Sequence, residues 1–187
     1  MPGYIRFISF NGDVMEIFST IEGRRSIRRY KNEPIKDSLI YKIVSAGAWA
    51  PSAGNLQSWE VILVKDPEKK QKLSEAAFLR DFIAEAPIIL VLCANQQISS
   101  AIYDERGLEL YCIQDAACAA QNMLLAAHAL GLGACWVGAF DEKSVSDSLS
   151  IPSFVRPVAL IPIGYSDEKP FAPPRRDVND FLHFNKY

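Results

Sequence analysis

A run of arginines near the start of the chain has the strongest chemical character in the sequence. It extends from Arg24 to Arg29 and reads RRSIRR. Side chains alternate along an extended segment, so Arg24, Ser26 and Arg28 share one side. Two guanidinium groups with a hydroxyl between them suit a phosphate, because arginine donates in a fork that matches phosphate oxygens. A solvated basic run has the same spacing, so the segment alone is weak evidence for a site.

A second segment, Pro51 to Trp59, offers amides instead of charges and reads PSAGNLQSW. Its small residues permit close approach to a ligand. Asn55 and Gln57 each supply a donor and an acceptor, which match the two carbonyls and one N–H at the pyrimidine edge of a flavin. An ordinary turn leading into a strand has the same composition, so both interpretations stay open.

Two further segments complete the set of candidates. Gly131 to Phe140 reads GLGACWVGAF, but it is not a phosphate loop, since GxGxxG must follow a strand and open a helix. Gly138 would let a backbone N–H meet a flat ring, or it serves packing alone. Arg175 and Arg176 form a second cationic pair near the C-terminus, for which surface charge is the default explanation.

Composition and missing motifs exclude several functions. A net charge of −2 gives no electrostatic case for nucleic acid. A chain with only two histidines, His128 and His183, is a poor candidate for a histidine-rich metal site, and no metal is expected. His128 is expected to be satisfied or exposed on a helix. Ser52 has no nearby GxSxG elbow and no credible histidine base, which argues against a hydrolase triad.

The cysteines and the apolar runs bear on localisation. The four cysteines lack CxxC spacing and lie in apolar surroundings, which favours buried free thiols in a reduced compartment. No apolar run approaches the roughly 20 residues that cross a bilayer, and Met1–Phe10 lacks the features of a secretory signal. A soluble, cytoplasmic protein with no membrane partner is expected.

Hydrophobic periodicity predicts the elements that must position these segments. Helices are predicted over Asp13–Ile21, Asp37–Ala48 and about Leu108–Leu130, and strands over Trp59–Val64, Pro87–Cys93, Ala134–Phe140 and Val158–Gly164. Gly23 is expected to cap the first helix in a left-handed conformation. Pro162 predicts an edge or a break in the last strand. Helices between strands favour a mixed sheet covered by helices.

Two elements suggest contacts beyond an ordinary fold. The helix over about Leu108–Leu130 carries two adjacent apolar rows rich in alanine, which either a central helix or a subunit interface explains. The C-terminal segment, residues 165–187, has little periodicity but is rich in aromatic residues. A disordered tail is seldom so aromatic. An extended arm docked on another surface, such as a partner subunit, explains both properties.

In this order, the segments resemble the nitroreductase family of flavoproteins from about Ile17 to the C-terminus. The most specific motifs are Arg-Arg-Ser-x-Arg, Pro-Ser-x-x-Asn-x-Gln-x-Trp and Gly-Leu-Gly-x-Cys-Trp-x-Gly-Ala-Phe. The resemblance implies an α+β fold with a mixed central sheet flanked by helices. It also implies an interlocked homodimer with a long interface helix and an exchanged C-terminal arm. Residues 1–187 would form one FMN-binding domain, with residues 1–12 as an extension and 165–187 as the arm.

The resemblance assigns cofactor contacts to residues of both subunits. From one subunit, the expected FMN contacts are Arg24, Arg25, Ser26 and Arg28, with Arg175 and Arg176 closing on the phosphate. From the other subunit, they are Pro51, Ser52, Ala53, Asn55 and Gln57. Val137, Gly138 and Ala139 would lie along the ring near N5. Arg28 would stabilise the negative charge of the reduced flavin near N1.

The implied activity is hydride transfer from NADH or NADPH through FMN to a small electron-poor acceptor such as a nitroaromatic or a quinone. No side chain need act as an obligatory acid or base, because the flavin carries the hydride. Tyr103 and Arg106 are assigned to the substrate pocket. Ser58 stands where the family usually has proline, and a looser loop is expected there. The alternatives are reductive dehalogenation or flavin fragmentation, and a non-catalytic flavin-binding module.

Overall fold

The computed structural model describes residues 16–187. The helices are α1 (Ile17–Gly23), α2 (Asp37–Ala48), α3 (Pro67–Ala76), α4 (Phe82–Glu85), α5 (Gln96–Arg106), α6 (Cys112–Ala129) and α7 (Glu142–Leu149). The strands are β1 (Trp59–Val64), β2 (Ile88–Asn95), β3 (Gly133–Ala134) and β4 (Val155–Gly164). Short helical turns cover Ala53–Asn55, Gly107–Tyr111 and Val178–Asp180. The expected extension, residues 1–12, lies outside the described residues.

The strands form one sheet in the order β1-β2-β4-β3, and every neighbouring pair is antiparallel. The expectation of a mixed sheet is therefore wrong for residues 16–187. Parallel pairing is confined there to a single bridge between Ser26 and Ala134, which is too short to form a strand. This bridge has a functional consequence, because it lays the arginine segment along β3.

The sheet is covered by helices on both faces, which confirms the expected α+β fold. Strand β2 is buried along its whole length. Leu90 and Leu92 pack with α2 and α6, whereas Ile89 and Val91 pack with α3 and α7 on the other face. Since successive side chains of a strand point to opposite faces, a strand covered on both sides must be apolar throughout.

Helix α6 runs across one face of the sheet. The long predicted helix is present, but its α-helical part begins at Cys112, because residues 107–111 form a π-helical turn. Small residues allow close packing: a Cβ added at Gly47 of α2 would lie 2.2 Å from Cε of Met123. Ala119 and Ala120 have no exposed surface. The sheet and α2 thus explain part of the apolar surface of α6.

Two predicted elements, α2 and β1, have the predicted bounds, but the prediction for Gly23 is wrong. Helix α1 continues through Gly23, which is not among the described glycines with positive φ. The chain leaves the helix at Arg24 with φ −58° and ψ 130° and continues extended, so no left-handed residue is needed. The predicted start of this helix, Asp13, lies outside the described residues.

Pro162 does not place β4 at an edge, because β4 lies between β2 and β3. The carbonyl of Pro162 accepts the N–H of Cys135 at 3.3 Å, but proline has no N–H to return. The predicted strand Ala134–Phe140 is accordingly reduced to β3 and one bridge between Val137 and Leu160. Pro162 therefore shortens the neighbouring strand, β3, and leaves its own strand, β4, continuous.

The four cysteines differ in their exposure to solvent. Cys93, Cys112 and Cys135 are buried and free, as predicted, but Cys118 is exposed on the outer side of α6. Residues 169–187 are exposed throughout and contain no α-helix or strand. Within residues 16–187, no helix has both the length and the apolar character that a membrane span requires.

Candidate functional site

The arginine segment, Arg24–Arg29, lies along the outer side of β3. The N–H of Ile27 donates to the carbonyl of Ala134 at 3.0 Å. The Ile27 side chain is buried against Gly133, where an added Cβ would come within 2.7 Å of it. Because side chains alternate, Ser26 and Arg28 project to the opposite side.

A cavity of about 330 Å³ opens beside this segment. It is lined by Arg24, Arg25, Ser26 and Arg28, and by Pro170, Phe171, Pro173 and Arg175 of the C-terminal segment. None of the three ion pairs within residues 16–187 uses any of its four arginines. We call this cavity the arginine pocket. Guanidinium groups that lack carboxylate partners make it a site for an anion.

Glu168 holds the backbone of the arginine segment. One oxygen of its carboxylate, Oε1, accepts the N–H groups of Arg28 and Arg29, the second at 3.2 Å. The N–H of Asp167 donates to the carbonyl of Arg29 at 3.0 Å. These bonds tie the start of the C-terminal segment to the arginine segment, so the two sides of the arginine pocket are connected. The sequence patterns did not single out Glu168.

The Cys135 thiol lies close enough to the arginines of this site for their positive charges to affect its pKa. Burial raises the pKa of this thiol. The pKa is lowered by the positive charge of Arg28, by a hydrogen bond with Ser26, and by the charges of Arg80 and Arg24. Arg80 therefore belongs to the electrostatic surroundings of the arginine segment. No sequence signal points to it, since it follows α3 and is distant along the chain.

His128 differs from its prediction. It lies on α6, and its Nε2 atom is buried without a hydrogen-bond partner among residues 16–187, so the side chain is neither satisfied there nor fully exposed. Burial lowers its pKa, and the charges of Arg24 and Arg25 lower it further. His128 thus lies within the field of the arginine segment, near the C-terminal end of α6.

The second candidate segment forms a tight loop, residues 51–57, which we call the amide loop. Gly54, Asn55 and Gln57 have φ values of 56°, 57° and 49°. Positive φ is costly for residues other than glycine, so the loop is strained. Internal bonds stabilise it: the N–H of Gln57 donates to Oγ of Ser52 at 3.0 Å, and Nε2 of Gln57 donates to the carbonyl of Asn55 at 3.1 Å. The Asn55 and Gln57 side chains are exposed.

Ser58 tightens this loop instead of loosening it, contrary to the expectation. Its side chain is fully buried, and its hydroxyl donates to Oδ2 of Asp115 on α6 at 2.6 Å. Oδ1 of Asp115 accepts the N–H of Ala53 at 3.0 Å. The sequence did not identify Asp115 as part of the site, although a carboxylate on the alanine-rich face of a helix is a usable signal.

The glycine-rich segment presents backbone at the surface. Val137 is buried and pairs with Leu160, whereas Gly138 and Ala139 are exposed. A Cβ at Gly138 would lie 3.2 Å from Nε1 of Trp136, so a larger residue would crowd the indole. The absence of a side chain at Gly138 leaves the backbone open to a flat ligand.

Tyr103 lies beside the amide loop, and Tyr111 connects it to Arg106. A Cβ on Gly54 would lie 2.6 Å from the hydroxyl of Tyr103. The Tyr103 ring meets Tyr111 edge-on, with 5.2 Å between ring centres. Nε of Arg106 donates to the Tyr111 hydroxyl at 2.8 Å, and the guanidinium lies 5.2 Å from the ring centre. Asp104, with φ 47° and ψ −135°, kinks α5 at this point. Tyr111, which the sequence patterns missed, therefore joins the two predicted pocket residues.

One chain does not bring the two candidate segments into a common cavity. The amide loop is hydrogen-bonded to Asp115. The charges of Arg24 and Arg25, in the arginine segment, lower the pKa of His128. Asp115 and His128 are about 20 Å apart along α6, at a rise of 1.5 Å per residue. Arg176 does not line the arginine pocket; it donates to the carbonyl of Asp180 and lies over Phe181. Among residues 16–187, no cluster of three or more histidines, cysteines or acidic residues is arranged to hold a metal ion.

Comparison with known proteins gives a consistent match. The model of the Nitroreductase family matches residues 21–80 and 76–165. A Thermus thermophilus protein named NADH dehydrogenase is 35% identical, covering 78% of this chain and 84% of the relative. A Bacillus subtilis protein named FMN reductase [NAD(P)H] is 31% identical, covering 92% and 74%.

A solved structure agrees with these sequence matches. The NADPH:FMN oxidoreductase of Vibrio harveyi, solved in complex with NAD+, superposes with a TM-score of 0.84 at 30% identity. The match covers 91% of this chain and 77% of that chain. The ranges that match the family model include the arginine segment, the amide loop and α6.

Proposed function

This chain belongs to the nitroreductase family, and we propose that it is an FMN-dependent oxidoreductase that passes hydride from NAD(P)H to an electron-poor acceptor such as a nitroaromatic or a quinone. Family membership and the names of the relatives support the enzyme class, the flavin and the nicotinamide. The relatives' names do not identify the electron acceptor. The proposed acceptor class is supported by the side chains of Tyr103, Arg106 and Tyr111.

The observation that carries the proposal is the arginine pocket. FMN carries a phosphate, and the pocket supplies a hydroxyl together with guanidinium groups that form no ion pair within residues 16–187. Such groups fit a phosphate. Arg24, Arg25, Ser26 and Arg175 would hold the phosphate end. Arg176 would join them only after leaving the carbonyl of Asp180.

The ring end of the flavin needs groups that the arginine pocket lacks. Asn55 and Gln57 supply amides, and Pro51, Ser52 and Ala53 supply the small surface around them. Because a single chain holds this loop far from its own arginines, we assign the amide loop to the flavin held by a partner subunit.

The exposed apolar surface supports a homodimer. The exposed fractions of Phe18, Tyr41 and Trp49, on or next to α1 and α2, are 67%, 77% and 86%. In the C-terminal segment, Phe171 is 97% exposed and Phe184 is 77% exposed. Side chains of this kind are expected to be covered by another protein surface. A second copy of the chain, with the C-terminal arm exchanged, would cover them.

When bound, FMN supplies the hydride chemistry that no side chain of this protein can perform. The chain's own residues position and tune it. Gly138 and Ala139 leave exposed backbone where a flat ring and a nicotinamide need room, with Val137 fixing them to β4. The guanidinium of Arg28 would supply positive charge to stabilise the negative charge that the cofactor gains on reduction.

The acceptor pocket is assigned to Tyr103 and Arg106, together with Tyr111. Two aromatic rings and one guanidinium offer a stacking surface and a cation. Nitro and quinone groups carry oxygens that accept hydrogen bonds, so such acceptors match these side chains in both shape and charge.

The two-subunit site is tested by complementation. Arg24→Glu and Asn55→Ala homodimers are each expected to lose FMN binding, whereas mixed subunits should regain about one intact site per heterodimer. Mixing Arg24→Glu with Arg28→Glu is the matched control, because both changes damage the same half of the site and no recovery is expected. Flavin absorbance after gel filtration measures bound FMN, and its anaerobic bleaching by NADH or NADPH measures reduction. A wild-type protein that ignores added FMN would refute the proposed function.

A further inference from the structure

The amide loop has an unusual backbone that something must stabilise. Gly54, Asn55 and Gln57 all have φ between 49° and 57°. Residues other than glycine avoid this region unless their surroundings compensate for the strain. The Asn55 and Gln57 residues are exposed, and the Gln57 side chain bonds only within the loop, to the carbonyl of Asn55, among the described residues.

The strained stretch is bonded at both of its flanks to one carboxylate. Oδ1 of Asp115 accepts the N–H of Ala53, which precedes the stretch, at 3.0 Å. Oδ2 accepts the hydroxyl of Ser58, which follows it, at 2.6 Å. One side chain of α6 therefore fixes the distance between the two ends of the loop.

Asp115 is costly to keep where it is. It is 4% exposed, and within residues 16–187 no ion pair compensates its charge. A buried carboxylate is destabilising unless it is well hydrogen-bonded, and within residues 16–187 its side-chain donors, the N–H of Ala53 and the hydroxyl of Ser58, belong to the loop and its flank. An apolar residue at this position of α6 would pack against its neighbours without that cost. The carboxylate is accordingly better explained by the loop than by the stability of α6.

We propose that Asp115 is a positioning residue for flavin binding, which acts through Ser58 and the N–H of Ala53 to hold the amide loop in its binding conformation. The proposal rests on the proposed function, since it assumes that the amide loop reads the ring of a flavin. Asp115 is buried and bonded to the loop, so its effect on a bound ring would be transmitted through the loop. The hydroxyl of Ser58 is part of the same set of hydrogen bonds. This gives a physical role to the residue that stands where the family usually has proline.

The test compares variants of the full-length dimer that remove or keep these bonds. Asp115→Ala removes both acceptors and is expected to weaken flavin binding about tenfold. Ser58→Ala removes one bond and is expected to weaken binding about threefold. Asp115→Asn is the conservative variant: its carbonyl can accept from Ala53 while its amide donates to the Ser58 hydroxyl, so affinity should stay within about twofold. Adding Ser58→Ala to Asp115→Ala should cause no further loss.

The readout that separates positioning from folding is the affinity for two flavins. Because the amide loop is assigned to the ring, FMN and riboflavin should lose affinity by the same factor, whereas the melting temperature of the apoprotein reports folding separately. Ser74→Ala is the matched control: Ser74, on α3, is also buried, but its hydroxyl has no hydrogen-bond partner in the part of the chain that the structure describes. It should leave both affinities unchanged.

The outcomes are distinguishable. Folded Asp115→Ala or Ser58→Ala protein with wild-type affinity for both flavins overturns the proposal, and so does a loss confined to FMN. If Asp115→Ala does not fold, Ser58→Ala decides the question by the same criterion. A wild-type protein that binds neither flavin overturns the proposed function itself, which is a different result from wild-type binding that these variants leave unchanged.

Discussion

The arginine pocket and the amide loop are both built from short segments outside the main helices, but they are stabilised in opposite ways. The arginine segment is held through its backbone, by Glu168 and by β3, and its guanidinium groups form no ion pair within residues 16–187. The amide loop is held from beneath, by the buried carboxylate of Asp115. A charged group acts over several ångströms and tolerates small shifts, whereas an amide must be placed to within a hydrogen bond. The two regions therefore differ in how precisely each must be positioned.

This difference predicts that the two regions fail differently when altered. Changes at the arginines assigned to the phosphate should reduce affinity only for ligands that carry a phosphate. Changes in the amide loop should affect every ligand that carries the flavin ring. FMN and riboflavin, which differ by the phosphate alone, separate the two effects.

The largest expected effect belongs to the arginine pocket. Arg24→Glu replaces a phosphate donor by a like charge, so we expect FMN affinity to fall about 100-fold or more, while riboflavin affinity stays within about threefold. Fluorescence quenching of each flavin measures the dissociation constants. Lys143→Glu on α7 is the matched charge reversal, because Lys143 is exposed and pairs only with Asp147 in the described residues. A comparable loss of riboflavin would show that Arg24 supports more than the phosphate.

A smaller effect is expected when the amide loop is strained further. Gly54→Ala places a Cβ at φ 56°, 2.6 Å from the hydroxyl of Tyr103, so the loop or the tyrosine must move. We expect about a tenfold loss of affinity for both flavins. Gly131→Ala is the control, because Gly131 has φ 78° but no atom within 4 Å of the added Cβ. The same titrations, with thermal melting alongside, measure both variants. A Gly54→Ala protein that loses FMN alone would break the comparison.

The same two regions show how far the sequence leads. Local patterns predicted the bounds of α2 and β1, and the residue types of the arginine segment predicted an anion site, which the pocket supports physically. The bonds that hold the amide loop were not predictable, because Ser58 and Asp115 are far apart in sequence and meet only after α6 packs on the sheet. Pro162 misled for a similar reason: which strand a proline disrupts depends on the neighbour that its missing N–H faces. Periodicity describes the side chains of one element, whereas these features depend on two.

The smallest expected effect is a change in protonation next to the arginine pocket. In the folded protein, burial lowers the pKa of His128, and Arg24 and Arg25 lower it further. A histidine with a lowered folded-state pKa stabilises the fold above its ordinary pKa, and that contribution is lost as the pH falls below it. A bound phosphate offsets the field of the two arginines, so FMN should raise the pKa of His128, whereas riboflavin should leave it unchanged. NMR titration of the imidazole measures this, with His183→Gln to assign the signal. Equal titration curves with the two flavins would show that the phosphate is held away from Arg24 and Arg25, and the assignment of the arginine pocket to the phosphate would fail.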